Sequence, residues 1–178
     1  MKDVVSSRLG DGGPVNDGSG PPSPLLIPGG ESRDERGTVR FVNGFDLARV
    51  RRLYCVRNSE EAPFRGWIAH KIEQKWFFPI TGLTAVHLVR VENFEHPAPD
   101  LKVELFVLDA EKPATLYVPG GYAIGVETRS PGAEVMVFSD CLLGERPNDV
   151  WRWAERDIFG AERGCEFTRT ACATARAD

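Results

Sequence analysis

The stretch that decides the fold is Arg65-Gly66-Trp67-Ile68-Ala69-His70-Lys71-Ile72-Glu73-Gln74-Lys75-Trp76-Phe77-Phe78-Pro79-Ile80-Thr81-Gly82. Successive side chains of a strand point to opposite sides, so a period of two separates this stretch into unlike faces. Ile68, His70, Ile72, Gln74, Trp76 and Phe78 fall on one face, apolar but for one imidazole and one amide. Lys71, Glu73 and Lys75 fall on the other, which suits solvent. A helical spacing scatters the same residues, so the pattern predicts a strand. A mostly apolar face with one His and one Gln reads as the inner wall of a small barrel that holds something.

Working outward, short β-type runs separated by turn residues begin at Thr38. Thr38 to Val42 stops at Asn43-Gly44. Val50 to Val56 alternates, with Val50, Arg52, Tyr54 and Val56 on one face and Arg51, Leu53 and Cys55 on the other. After a loop at Asn58 to Pro63 and the stretch above, further strands are predicted at Leu83–Val91, Val103–Leu108, Ala114–Val118, Tyr122–Thr128 and Glu134–Ser139. Many short strands with regular turn signals predict an all-β sandwich or barrel. Only Asp149 to Asp157 carries a helical pattern, with Val150, Trp153 and Ala154 on its apolar side. Residues 1–37, rich in Gly, Pro, Ser and Asp, read as a disordered leader whose apolar patch Pro24–Pro28 can dock on the body. Residues 38–159 form one domain, and the Ala- and Arg-rich residues 160–178 read as a flexible tail.

Composition bounds the function. The 178 residues suit a single domain with a substantial core. A net charge of -4 without any basic run argues against a general nucleic-acid or anionic-membrane partner. No stretch approaches the ~20 apolar residues of a spanning helix. The N-terminus lacks the apolar core of a secretory signal, which predicts a cytoplasmic protein. Cys55, Cys141, Cys165 and Cys172 are widely spaced with no C-x-x-C pair, and read as reduced thiols.

Three runs carry a family resemblance. Arg65-Gly66-Trp67-Ile68-Ala69-His70-Lys71 resembles the Arg-Gly-x-His-Ala-His-Lys motif of nucleotide-sugar 3,4-ketoisomerases, small cupins that act on dTDP-4-keto-6-deoxyhexoses. Val50-Arg51-Arg52-Leu53-Tyr54-Cys55-Val56 is similar to the basic-aromatic strand that precedes that motif. Leu116-Tyr117-Val118-Pro119-Gly120-Gly121-Tyr122-Ala123-Ile124 resembles the second cupin motif, shared with dTDP-4-keto-sugar 3,5-epimerases. The run Gly66-Trp67 to Gln74 is also similar to sugar epimerase-like cupins of surface-polysaccharide loci. The resemblance spans residues 38–159. It implies a double-stranded β-helix, the jelly-roll cupin, with one short C-terminal helix.

The resemblance also implies an activity: metal-independent isomerisation or epimerisation of a nucleotide-activated, dTDP-type 4-keto-6-deoxy sugar for surface polysaccharide, with no cofactor, by a homodimer. An apolar stripe at Trp151, Trp153 and Phe159 would suit the dimer contact. Where metal cupins place their ligands, this chain has Ile68, His70, Gln74 and Ile124, a set that cannot hold a divalent ion. Ile68 also stands where the related enzymes carry a histidine base. Moving a proton beside a ketone needs a group that titrates near neutrality and donors aimed at the developing oxyanion. Three accounts are open: His70 is the base with Tyr54 as acid or oxyanion donor; the reaction differs; or the pocket binds a sugar nucleotide without turnover. A fourth reading is a structural β-domain whose hollow is filled by side chains. On the first account Arg52 and Arg65 hold the diphosphate, as guanidinium forks do, Gln74 orients His70 or bonds a ligand hydroxyl, and Tyr122 lines the mouth. His87 reads as structural and His96 as a solvated loop side chain.

Overall fold

The computed structural model describes residues 22–98 and 101–154. Two five-stranded sheets face each other, and every pairing is antiparallel. The first runs β1 (Leu25–Pro28), β9 (Ala114–Val118), β6 (Lys75–Thr81), β11 (Glu134–Ser139), β4 (Arg52–Val56). The second runs β12 (Trp151–Arg152), β5 (Phe64–His70), β10 (Tyr122–Thr128), β7 (Leu83–Arg90), β8 (Val103–Asp109). A separate hairpin joins β2 (Gly30–Asp34) to β3 (Gly37–Phe41). From β4 to β7 and from β9 to β11 the chain passes back and forth between the sheets, which is the winding of a jelly roll.

The core lies between the sheets. Phe77, Leu116, Val118, Val135 and Val137 of the first meet Val86, Leu88, Ile124 and Val126 of the second. Alternation along β11 shows how the sequence selects its face: Val135, Val137 and Ser139 are buried while Glu134, Met136 and Phe138 are partly exposed. The second sheet is buried on its outer face as well. There Trp67, Ala69, Val89 and Ala123 are covered by Phe94, Trp151 and Trp153, so β7 and β10 are buried on both faces, and their polar His87 and Glu127 pair with each other at 2.7 Å.

The structure corrects three expectations. Two strands, β1 and β2, lie within the segment expected to be a disordered leader to residue 37. Leu25–Pro28 pairs with Ala114–Tyr117, whose backbone groups need partners at the sheet edge; residues 1–21 lie outside the described residues. The helix expected from Asp149 is extended as far as it is described. Trp151 and Arg152 pair with Ala69 and Ile68, and Trp153 N–H donates to the Trp67 carbonyl at 3.2 Å. Sheet hydrogen bonding to β5 outweighs the helical spacing, and residues 155–178, including Phe159 and the tail, lie outside the described residues. Trp151 and Trp153 pack on Phe94 within the chain.

The third correction concerns the deciding stretch itself. It is two strands in different sheets, joined by residues 71–74. Alternation holds only within one strand, and this turn re-phases it. Ile72, expected inside, is 58% exposed, whereas Glu73 and Lys75, expected in solvent, are 6% and 7% exposed. Trp76 packs against Phe45 and Tyr117, away from the inter-sheet core that Phe77 joins.

Candidate active site

A cavity of about 280 Å³ opens between the sheets, lined by residues of β4, β5, β6, β10 and β11. Its wall is mainly apolar: Val56, Ile68, Phe77, Ile124, Val126 and Val137. Tyr54, Arg57, Arg65 and Lys75 supply its functional groups. A bulge brings Arg65 to this wall. Ile124 pairs with Ile68 but Val126 pairs with Arg65, so β5 carries one extra residue there. Residues three apart thereby face the same way.

The β5–β6 turn is held by two aspartates. Asp149 is buried, and its carboxylate accepts the backbone N–H groups of Lys71 (2.7 Å), Ile72 (3.1 Å) and Glu73 (2.9 Å). Successive N–H groups around one anion make a rigid nest. Asp140 accepts the N–H of Gln74 at 2.9 Å. Gly120 packs so closely on this turn that a Cβ there would collide with the Lys71 carbonyl oxygen.

The turn sets three ionisable side chains against one another. His70 Nδ1 lies 2.6 Å from the Asp149 carbonyl oxygen, which can only accept, so Nδ1 carries the proton. In the neutral ring Nε2 is then an acceptor, and Lys75 Nζ donates to it at 2.8 Å. Glu73 takes Arg52 Nη2 at 3.1 Å and the Ser139 hydroxyl at 2.7 Å, with Lys75 Nζ 3.6 Å away. Burial lowers the Lys75 pKa against the pull of Glu73, and Arg52 adds to the lowering. Burial, then Lys75, lowers that of His70. Burial pushes Glu73 up, but Lys75, Ser139, His70 and Arg52 together hold it below its ordinary value. The carboxylate is therefore ionised and matched by Arg52, while the amine and the imidazole compete for a proton in an apolar wall.

The predicted site residues divide. His70 is buried and in contact with Lys75, and it is Lys75 that lines the hollow. Tyr54 lines the cavity, and burial pushes its phenol up to about 12, so it remains an O–H donor. Arg65 lines the cavity as expected. Arg52 instead pairs with Glu73 and lies 5.1 Å from the Tyr54 ring centroid. Gln74 accepts from the Tyr117 hydroxyl at 2.8 Å and does not orient His70; the Asp149 carbonyl does. Tyr122 is buried in the inter-sheet core. Sequence reading missed Lys75, Glu73, Arg57 and Asp149. One signal for Lys75 was present: it opens the apolar run Trp76-Phe77-Phe78-Pro79-Ile80 and so sits at a strand start rather than mid-strand.

The positions where cupins hold a metal do not suit one here. Ile68 and Ile124 face each other across β5 and β10, Gln74 is turned to Tyr117, and the acceptor nitrogen of His70 is occupied by Lys75. Among the described residues no three His, Cys, Asp or Glu side chains converge as a ligand set.

No protein-family model and no curated protein matches the chain. Solved structures do. The sugar 3,4-ketoisomerase QdtA from Thermoanaerobacterium thermosaccharolyticum, in complex with TDP, superposes with a TM-score of 0.58 at 16% identity, covering 79% of this chain and 96% of that one. The rmlC epimerase of Mycobacterium tuberculosis gives 0.61 at 19% identity, covering 87% and 93%. The fold is that of these sugar-nucleotide cupins. ChmJ, a 3'-monoepimerase from Streptomyces bikiniensis in complex with dTDP-quinovose, gives 0.60 at 16% identity over 76% of this chain and 71% of that one. Identities this low establish the shared jelly roll; what the site does rests on its own residues. The chain has a hollow between its sheets, with isoleucines at 68 and 124 and a lysine at its wall.

Proposed function

We propose that this cupin isomerises or epimerises a nucleotide-activated 4-keto-6-deoxy sugar, with dTDP as the nucleotide, by moving a proton beside the ketone. The observation that carries this is the Lys75–His70 pair, an amine and an imidazole 2.8 Å apart, with Lys75 lining an apolar cavity and His70 buried behind it. Two bases of lowered pKa in mutual contact can take up and return a proton. Tyr54 keeps its phenolic proton and supplies the donor for charge that develops on the ketone oxygen. Arg65 at the cavity is the guanidinium group available to a diphosphate; Arg57, also at the cavity, is paired with Glu134 at 2.6 Å, and Arg52 is engaged by Glu73. The likeness in fold to TDP-sugar enzymes supports the substrate class.

The test is incubation with dTDP-4-keto-6-deoxyglucose in heavy water, read by NMR. Deuterium at C3 or C5 is the expected result; tight binding with no exchange overturns turnover. The second reading, a catalytically silent sugar-nucleotide-binding cupin with a regulatory or scaffolding role, is favoured by Ile68 and Ile124, which place hydrocarbon where related enzymes have imidazole.

A homodimer belongs to the same proposal. β8 is a sheet edge among the described strands, and its Leu105 and Val107 are 50% and 53% exposed; such edges call for cover. Sedimentation equilibrium of full-length protein checks it. A cytoplasmic setting in surface-polysaccharide synthesis is proposed on the free thiols Cys55 and Cys141 and on the substrate class. Among the described residues no helix is long and apolar enough to cross a membrane.

A further inference from the structure

Lys75 asks for a role that ion pairing does not supply. Glu73 already has Arg52 at 3.1 Å and Ser139 at 2.7 Å. Lys75 Nζ stands 3.6 Å from Glu73, beyond hydrogen-bond reach, beside a wall formed by Ile68, Phe77, Ile124 and Val137. Lys75 lines the cavity, and the nearest polar neighbour of its nitrogen, His70 Nε2 at 2.8 Å, is an acceptor whose opposite nitrogen is locked by the Asp149 carbonyl. A desolvated amine beside a base has the properties of a carbonyl-condensing lysine.

We infer that Lys75 Nζ, held against His70 Nε2 on the cavity wall, condenses with the ketone of the bound sugar to form an imine. This rests on the proposed keto-sugar substrate and fixes which reaction the site performs on it. The nitrogen lone pair attacks the carbonyl carbon and the C=O π pair moves to oxygen. One proton passes from Nζ through His70 Nε2 to that oxygen; the extra proton that the amine and the imidazole share follows it, so water leaves as the C=N bond forms and Nζ keeps one proton as the iminium. No oxidant or reductant is involved. The iminium then acidifies the neighbouring C–H, whose proton goes to His70 as the bonding pair forms the enamine. A proton from solvent adds to the other face of the same carbon, His70 releases its own to solvent, and hydrolysis of the imine gives the epimer and restores Lys75.

Covalent attachment at C4 separates the two reactions left open above. From the enamine with a hydroxyl at C3, protonation at C3 regenerates the iminium and releases an epimer. Protonation at C4 moves the ketone to C3 but leaves nitrogen bound to a saturated C4, which water does not cleave. The inferred chemistry therefore assigns epimerisation and disfavours 3,4-keto transfer. It also gives a reason for Ile68: activation by the iminium takes over part of what a second imidazole would do.

The experiment is reductive trapping. Full-length protein is incubated with dTDP-4-keto-6-deoxyglucose and sodium cyanoborohydride, which delivers hydride to C=N, and is analysed by intact mass and peptide mapping. The expected result is one adduct per chain, heavier by the sugar nucleotide less one oxygen and located on Lys75. A Lys75→Met variant should lose it. A parallel reaction in heavy water without reductant should place deuterium beside a ketone that stays at C4. Deuterium exchange with no adduct overturns the imine and leaves the proposed function standing. Neither exchange nor adduct overturns both. An adduct confined to Lys71, Lys102 or Lys112 also overturns the inference, and mapping on the unsubstituted protein keeps the result independent of how the variant folds.

Discussion

His70, Lys75 and Glu73 make acid the enemy of this fold. The buried imidazole has a pKa below its ordinary 6.5, so protonation costs the folded state more than the unfolded one. Its effect is absent above 6.5 and grows as pH falls through 6.5 to the folded value. Glu73 is held below its ordinary 4.5, so its contribution is present above 4.5 and lost as pH falls through the folded value. Lys75, lowered from 10.5, adds a rise in stability with pH between its folded value and 10.5. All three slopes have one sign. Calorimetric melting temperatures should therefore fall steadily from pH 8 to pH 4, and in His70→Gln the part of the fall just below 6.5 should disappear. Parallel curves for the two proteins would show that the imidazole is not desolvated as described.

Lys75→Met separates function from stability at the same residue. The variant removes the group that faces the cavity, so deuterium exchange into a keto-sugar nucleotide should drop by ~10²–10⁴-fold, the usual worth of a positioned acid–base group. Its melting temperature at pH 7 should hold or rise, because an unbranched apolar side chain replaces a desolvated amine. A large fall in melting temperature with exchange intact would mark Lys75 as a structural cation.

At the scale of the element, the four-residue link between β5 and β6 is the part on which the site depends. Its N–H groups have carboxylate partners on Asp149 and Asp140, and Gly121 N–H donates to the His70 carbonyl at 2.7 Å. Asp149→Ala leaves three of these donors unpartnered. Removing charge-assisted bonds from buried donors should cost roughly 2–3 kcal/mol, measured by urea unfolding. Exchange should fall too, since the turn positions Glu73 and Lys75 and the Asp149 backbone orients His70. Asp149→Asn, with one acceptor oxygen left, should lie between. The strands themselves were legible from residue patterning: β4 to β11 fall within a few residues of the runs read from β-branched and aromatic alternation, because each strand presents one face to a common core. The turn was not legible. Lys71-Ile72-Glu73-Gln74 contains neither Gly nor Pro, and the carboxylate that stabilises it lies about eighty positions away at Asp149.

For the molecule as a whole, the bulge opposite Gly125 turns a surface arginine toward the hollow. Arg65→Ala should weaken dTDP binding about ten-fold, or about 1.4 kcal/mol, by isothermal calorimetry. The melting temperature should be unchanged, because Arg65 is exposed. Unchanged affinity would remove Arg65 from diphosphate binding.

The sequence by itself determined an all-β body, the strand positions from Val50 to Ser139, the inward face of β4 with Tyr54 on it, and the burial of His70. Each follows from the two-residue period of one strand against one core. Only the tertiary structure decided which polar groups meet. The phase of β6 was set by a turn tied to Asp149, and Arg65 was placed by an extra residue in the ladder with β10. Lys75 reached His70 because β5 and β6 belong to opposite sheets. Pairings between distant segments leave no periodic trace, so a lysine that reads as solvated turns out to be the amine at the wall of the cavity.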